Sequence, residues 1–227
     1  MITRRSLFLG LLAGCALPLS ACSSVGGSTG RVLGYALGEQ GLYGSFEDNG
    51  RVVPAVPASV LKERNIRREV AWSGSEKTGT IVVDPENHYL FLITAPGRAM
   101  RYGVGVGKAG FAFSGTATIQ RKADWPGWTP TPNMIRRDPD RYGPYAGGLP
   151  GGLGNPLGAR ALYLYRGGRD TYYRIHGTNE PHTIGQSVSS GCIRMMNQDV
   201  IDLESRVPVG TTVIVRRGAA DKAEVVA

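Results

Sequence analysis

Short β-branched and aromatic runs, each closed within a few residues by glycine, proline or asparagine, recur between Thr80 and Val215. Runs of this length are bounded like strands and are too short for most helices. Ile81–Asp84 and residues 88–94 flank Pro85-Glu86-Asn87, which is a hairpin signature. Residues 98–106 and 115–122 continue the alternation. Residues 160–165 and 172–176 flank a turn at Gly167-Gly168-Arg169-Asp170, and residues 211–215 form a last strand. One segment has helical spacing. Asn197–Arg206 carries Val200 and Leu203 on the same face as Val207, with Asn197 as its cap, Asp199 in its first turn and Pro208 as its stop. The pattern predicts a mainly β, sandwich-like domain with one short helix and no internal repeat. The 33 glycines and 14 prolines suit such a turn-rich fold.

Residues 126–158 read differently. They hold seven prolines and eight glycines, with Trp128, Tyr142 and Tyr145 among them. Little regular structure is expected there. A long loop of this kind in a compact domain is usually a lid or a binding loop, and the aromatics imply that it packs on something.

The N-terminus reads as an export signal. Residues 1–5 form a positive head, and residues 6–21 are apolar and uncharged, too short for a comfortable membrane span. Two stretches match a lipobox, Leu12-Ala13-Gly14-Cys15 and Leu19-Ser20-Ala21-Cys22. Cys22 is preferred, because it leaves a fuller apolar region before the cut and precedes a Ser/Gly tether at residues 23–28. Arg4-Arg5 also resembles a twin-arginine signal, and a plain secretory signal with incidental cysteines stays open. Loss of residues 1–21 removes Arg4 and Arg5 and lowers the formal charge of +8 by two. The basic residues do not cluster. The densest run, residues 62–68, contains Glu63, and no basic stripe is interleaved with aromatics, so nucleic acid is not an expected partner.

If Cys15 leaves with the signal and Cys22 is acylated, Cys192 is the one remaining thiol of the three in the chain. An unpaired cysteine in an oxidising compartment is either a buried apolar thiol or a nucleophile. Its context favours the second reading. Ile175-His176-Gly177-Thr178-Asn179 ends a strand, and Ser189-Ser190-Gly191-Cys192-Ile193-Arg194-Met195 follows, with sixteen residues from histidine to cysteine. A returning loop can bring the two together. A paired imidazole is expected to lower the thiol pKa, and Ser190-Gly191 permits a tight turn whose N–H groups face an oxyanion.

This constellation resembles the L,D-transpeptidase catalytic domain of peptidoglycan metabolism. That family's signature is a histidine, a gap, then Ser/Thr–His–Gly–Cys–apolar–Asn/Arg. The resemblance spans residues 77–217, including the opening hairpin, the Pro/Gly-rich stretch, the motif and the closing Val207-Pro208-Val209-Gly210-Thr211. Together with the export signal, it divides the chain into a signal peptide at 1–21, a tether and leader at 22–76, the catalytic domain at 77–217 and a tail at 218–227. It further implies Cys192 as nucleophile, His176 as base, and the Gly177 carbonyl as the group that orients the imidazole. Ser190, Gly191 and Cys192 would line the oxyanion hole, and Arg194 would support the site or a substrate carboxylate. The implied partners are peptidoglycan stem peptides, with another stem, a D-amino acid or an envelope protein as the amine acceptor. No metal or organic cofactor is implied. The implied location is the periplasm, with the Cys22 lipid in the outer membrane of a Gram-negative bacterium.

Two departures stand out. Ser190 occupies a position where many members have histidine, and the interval from His176 to Ser189 is short. They keep open a stem-peptide hydrolase using the same site. A non-catalytic peptidoglycan-binding lipoprotein is the third reading, and the intact His176 and Cys192 argue against it. His182 is a rival base, better read as a loop residue. A zinc site of His176, His182 and Cys192 fits no standard spacing. His88 reads as structural, and Trp125 and Trp128 as lid aromatics or loop anchors.

Overall fold

The computed structural model describes residues 41–107, 113–189 and 191–217. The lipobox matches at Cys15 and Cys22, and also Ser190, lie outside the described residues. The chain opens with a 3-10 turn (Gly41–Tyr43) and the antiparallel pair β1 (Phe46–Asp48) and β2 (Arg51–Val53). A second 3-10 turn (Glu63–Asn65) leads into β3 (Arg68–Ala71). β4 (Ile81–Asp84), β5 (Tyr89–Ala95), β6 (Arg98–Gly103), β7 (Val106–Gly107) and β8 (Gly115–Asp124) follow. Two short helices come next, α1 (Pro132–Arg137) and α2 (Pro139–Tyr142), then β9 (Arg160–Arg166) and β10 (Arg169–His176). The last elements are β11 (Ser187–Ser189), β12 (Ile193–Arg194), α3 (Asn197–Arg206) and β13 (Thr212–Val215). The protein is mainly β, as its strand pattern predicts.

Nine strands form one sheet in the order β12-β10-β9-β8-β13-β4-β5-β6-β3. β12 runs parallel to β10, and β13 runs parallel to β4; the other neighbours are antiparallel. The sheet does not lie open. Gly105, just past β6, exchanges backbone hydrogen bonds with Arg194 of β12 at 2.9 and 2.8 Å. One end of the sheet thereby meets the neighbourhood of the other, and the sheet rolls around its core. That core collects Ile81, Leu90, Tyr102, Ile119, Leu162, Leu164, Ile175 and Val213 from the strands and Val200 and Leu203 from α3. Burying each such aliphatic side chain contributes about 1.5–3 kcal/mol. Ile175 is fully buried, so the end of β10 that carries His176 is rigidly seated.

Besides supplying the edge strand β3, the leader meets this roll at two buried ion-pair clusters. Tyr43 accepts a hydrogen bond from the Arg67 N–H at 2.7 Å and donates to the Asp199 carboxylate of α3 at 3.0 Å. Arg67 donates to the same carboxylate at 3.1 Å. Burial pushes the Asp199 carboxyl up to about 7, with the Arg67 guanidinium opposing the shift. At the second point Arg160 of β9 holds Asp48 of β1 through two bonds of 2.7 Å, and the Trp125 indole N–H donates to the same carboxylate at 2.9 Å. Trp125 is therefore an anchor.

The Pro/Gly-rich stretch departs from the expectation of little regular structure. It forms α1, α2 and a 3-10 turn (Gly143–Tyr145). Each α-helix begins with proline at its first positions, preceded by a cap: Thr131 Oγ1 accepts from the Met134 N–H and Asp138 Oδ1 from the Arg141 N–H, both at 3.2 Å. α3 has the predicted bounds, but its first-turn residues do not act as predicted. Its cap is Met196, Asn197 reaches elsewhere, and Asp199 is buried rather than facing solvent. No helix among the described residues is long and apolar enough to cross a membrane.

Candidate active site

A groove of about 1050 Å³ separates the stretch carrying α1 and α2 from the ends of β10 and β12. His176, Cys192 and Arg194 line one side. Trp128, Arg137, Arg141, Tyr142 and Tyr145 line the other, with Trp128 packed 6.3 Å from Tyr142 and 6.2 Å from Tyr145, centroid to centroid. Trp128 is thus a groove aromatic, unlike Trp125.

His176 ends β10, pairs in parallel register with Arg194, and is 4% exposed. Its Nδ1 lies 2.6 Å from the Gly177 carbonyl oxygen. A carbonyl only accepts, so Nδ1 carries the proton toward Gly177, and the ring also hydrogen-bonds the Pro156 backbone. Burial drives the imidazole down to about 3, helped by the Arg194 and Arg174 charges. The ring is neutral at any physiological pH.

The loop after His176 is held by a residue that the sequence pattern assigns to a helix cap. Asn197 Oδ1 accepts from the Ala159 N–H at 3.0 Å and the Thr178 N–H at 3.2 Å, while its Nδ2 donates to the Thr178 carbonyl at 3.0 Å. The amide lies so close that a Cβ on Gly177 would sit 2.2 Å from Asn197 Oδ1. Position 177 must be glycine for the clamp to close, and the clamp in turn fixes the carbonyl that orients the imidazole.

Cys192 is half-buried at the start of the segment leading into β12. Gly191 before it has φ +126°, a conformation that only glycine adopts readily. The thiol does not have the lowered pKa expected from a paired imidazole. Burial pushes it up, and the Arg174 N–H and the Arg174 and Arg194 charges only partly offset this. The groove therefore holds a neutral thiol and a neutral imidazole at rest rather than a thiolate and an imidazolium. Burial disfavours the charged form of each group.

Arg194 donates to Glu180 at 2.7 Å in the groove wall. His182, in a 3-10 turn (Pro181–Thr183), is exposed and is not part of the groove. No group of three metal-capable side chains occurs among the described residues, so His176, His182 and Cys192 do not converge on one point. His88 contacts Ser187 of β11 through its Nε2 at 2.9 Å, which ties the first hairpin to the segment before the motif. Sequence reasoning missed Asn197 as a clamp, Glu180 as the partner of Arg194, and the role of Asp170, Thr171 and Arg174 around a bulge in β10.

The chain belongs to the L,D-transpeptidase catalytic-domain family, whose model matches residues 78–215. It is 33% identical over 176 residues to a probable L,D-transpeptidase ErfK/SrfK of Escherichia coli, covering 77% of this chain and 55% of that protein. It is 31% identical over 179 residues to a probable L,D-transpeptidase YbiS of the same species, covering 77% and 56%. The chain spans about half the length of these curated relatives. Among solved structures it is similar to one from Brucella melitensis titled as a probable carnitine operon oxidoreductase, at 51% identity and TM-score 0.48, covering 67% of this chain and 94% of that one.

Proposed function

We propose that this chain is a peptidoglycan L,D-transpeptidase with Cys192 as nucleophile and His176 as general base. The observation that carries the reading is that both residues line one groove while His176 is held through Nδ1 on the Gly177 carbonyl. Cys192 Sγ attacks the carbonyl carbon of the third stem residue, typically diaminopimelate, as its proton passes to His176 Nε2. The amide C–N bond breaks, His176 returns the proton to the departing amine, and D-alanine leaves. An acceptor amine then attacks the thioester, gives its proton to His176, and releases the thiol. The amine belongs to another stem, a D-amino acid or an envelope protein. Because thiol and imidazole are both neutral at rest, proton transfer accompanies attack. In this reading the N–H groups of the Ser190-Gly191-Cys192 segment bind the oxyanion, and Arg194, ion-paired to Glu180, supports the site or a substrate carboxylate.

Muropeptide incubation followed by mass spectrometry tests the reading. Crosslinked or exchanged stems that vanish in Cys192→Ala support it. Trimmed stems alone make the protein a hydrolase, and no Cys192-dependent change makes it a binding lipoprotein. Location in the periplasm, with a lipid on Cys22 in the outer membrane, rests on the signal and lipobox pattern. Cys22→Ala should release the protein from membranes and Cys15→Ala should not; the reverse result moves the anchor to Cys15.

A further inference from the structure

β10 leaves its ladder just before it reaches the site. Asp170 pairs with Tyr165 and Arg174 with Tyr163, so residues 171–173 stand opposite Leu164 alone. The bulge puts Tyr172 at φ +62°, a region that non-glycine residues rarely occupy. Side chains replace the lost ladder bonds. Asp170 Oδ1 accepts from the Tyr172 N–H at 2.8 Å, and Thr171 Oγ1 accepts from the Tyr173 N–H at 3.2 Å while donating to the Leu164 carbonyl at 2.6 Å. Asp170 also grips the Arg174 guanidinium with both oxygens, at 2.7 and 2.9 Å.

What the bulge turns outward is backbone, and it faces the nucleophile. The Tyr172 carbonyl oxygen lies 3.9 Å from Cys192 Sγ, where the thiol donates weakly to it. The Arg174 N–H faces the same sulfur.

We propose that the Asp170–Arg174 clamp is a positioning device for the nucleophile, holding β10 in a bulge whose Tyr172 carbonyl and Arg174 N–H seat the Cys192 thiol until substrate arrives. This rests on the reading of Cys192 as nucleophile. On substrate binding the S–H hydrogen turns from the Tyr172 carbonyl to His176 Nε2, and no other atom changes hands. Asp170 and Arg174 act through backbone and are positioning residues.

Asp170, Tyr173 and Arg174 from β10 and Arg194 from β12 face the sulfur, and His176 shares its groove. Burial and the Asp170 charge hold the thiol up; the two arginines pull it down. Asp170→Asn removes one raising influence and opens the bulge to water. The thiol should then alkylate faster while catalysis fails. In the full-length protein, iodoacetamide labelling of the Cys192 peptide against pH should shift its midpoint down by about one unit, roughly tenfold more thiolate at neutral pH. Stem-peptide kcat should fall on the order of 10²-fold, as expected for a misplaced nucleophile. Thr171→Val, which alters no charge, should change both in the same directions, and Thr171→Ser should restore both. If Asp170→Asn does not fold, the Thr171 pair decides by the same readouts. An unshifted labelling midpoint overturns the proposal, even if melting temperature and turnover fall, because that is what a merely structural clamp does. Cys192→Ala separates the two readings. If it keeps full turnover, the nucleophile assignment fails; if it is inactive while Asp170→Asn matches wild type, only the bulge proposal fails.

Discussion

The carboxamide of Asn197 brackets Thr178, accepting from its N–H at 3.2 Å and donating to its carbonyl at 3.0 Å. A third bond, from the Ala159 N–H, ties in the end of the Pro/Gly-rich stretch. Asn197→Ala should therefore damage the site more than an ordinary helix-start mutation would. Three hydrogen bonds at about 1 kcal/mol each put the stability loss near 3 kcal/mol. Turnover should fall at least tenfold under conditions where the variant is folded, since the Gly177 carbonyl loses its support. Denaturant unfolding and stem-peptide kinetics check both, and wild-type kinetics would reduce Asn197 to a packing residue.

His176 is neutral down to about 3, so the rate should show no inflection near the ordinary histidine value of about 6.5. The neutral imidazole that the proposed base role needs is present above the folded pKa and lost below it. The acid limb of kcat/KM should fall only beneath about pH 4. His176→Ala should cost 10²- to 10⁴-fold in acylation of Cys192, about the range for a lost general base. Exposed His182 should tolerate alanine within about twofold, an effect of only a few tenths of a kcal/mol. Single-turnover acylation by a carbapenem, read as a mass adduct, measures both, and a larger loss in His182→Ala would reassign the base.

Asp199 gives stability an unusual pH dependence. Unfolded, it ionises near about 3.9, whereas in the fold burial delays ionisation to about 7. Between those values the folded chain keeps a proton that the unfolded chain has released. The contribution is complete below about pH 4 and is lost as pH rises through 7. Asp199→Asn removes this titration. The unfolding free energy of wild type relative to the variant should decline from pH 4 to 7. A flat difference would mean that Arg67 keeps the carboxylate ionised throughout.

Asp48 and Arg160 form a buried pair at 8% and 5% side-chain exposure. Asp48→Ala would leave the guanidinium with Asp124 at 3.2 Å and Glu204 at 3.7 Å, but without its two short bonds. Breaking such a pair from one side costs about 3–5 kcal/mol. Calorimetry should show a loss of this size, larger than that of the exposed Arg98–Glu69 pair, whose removal should change stability by under about 1 kcal/mol.

The long strands were legible because their β-branched and aromatic residues recur with period two between turn formers, and α3 because its apolar spacing and Pro208 mark its face and end. Cys192, His176 and Gly177 were legible as a motif. The elements that join them were not. β7 and β12 have two residues each and β11 has three, too few for any periodicity to register. The signal for α1 and α2 was present as Thr131-Pro132 and Asp138-Pro139, a cap followed by proline, but the surrounding prolines and glycines masked it. Asn197 looked like a cap because sequence shows only its neighbours, while its partners, Ala159 and Thr178, come from two other segments. The thiol's expected acidity failed for a related reason: pairing is visible in a motif, whereas burial is a property of the fold.

The reciprocal bonds between Gly105 and Arg194 bear on how the protein breathes. Each amide hydrogen is held by the other residue's carbonyl, so separation of the two residues opens both to deuterated solvent. Arg194 lies two residues from Cys192, and Gly105 lies in the segment after β6, near the opposite end of the sheet. Exchange at the strand after Cys192 should therefore track opening of this contact between the two ends of the sheet rather than fluctuation of a surface loop.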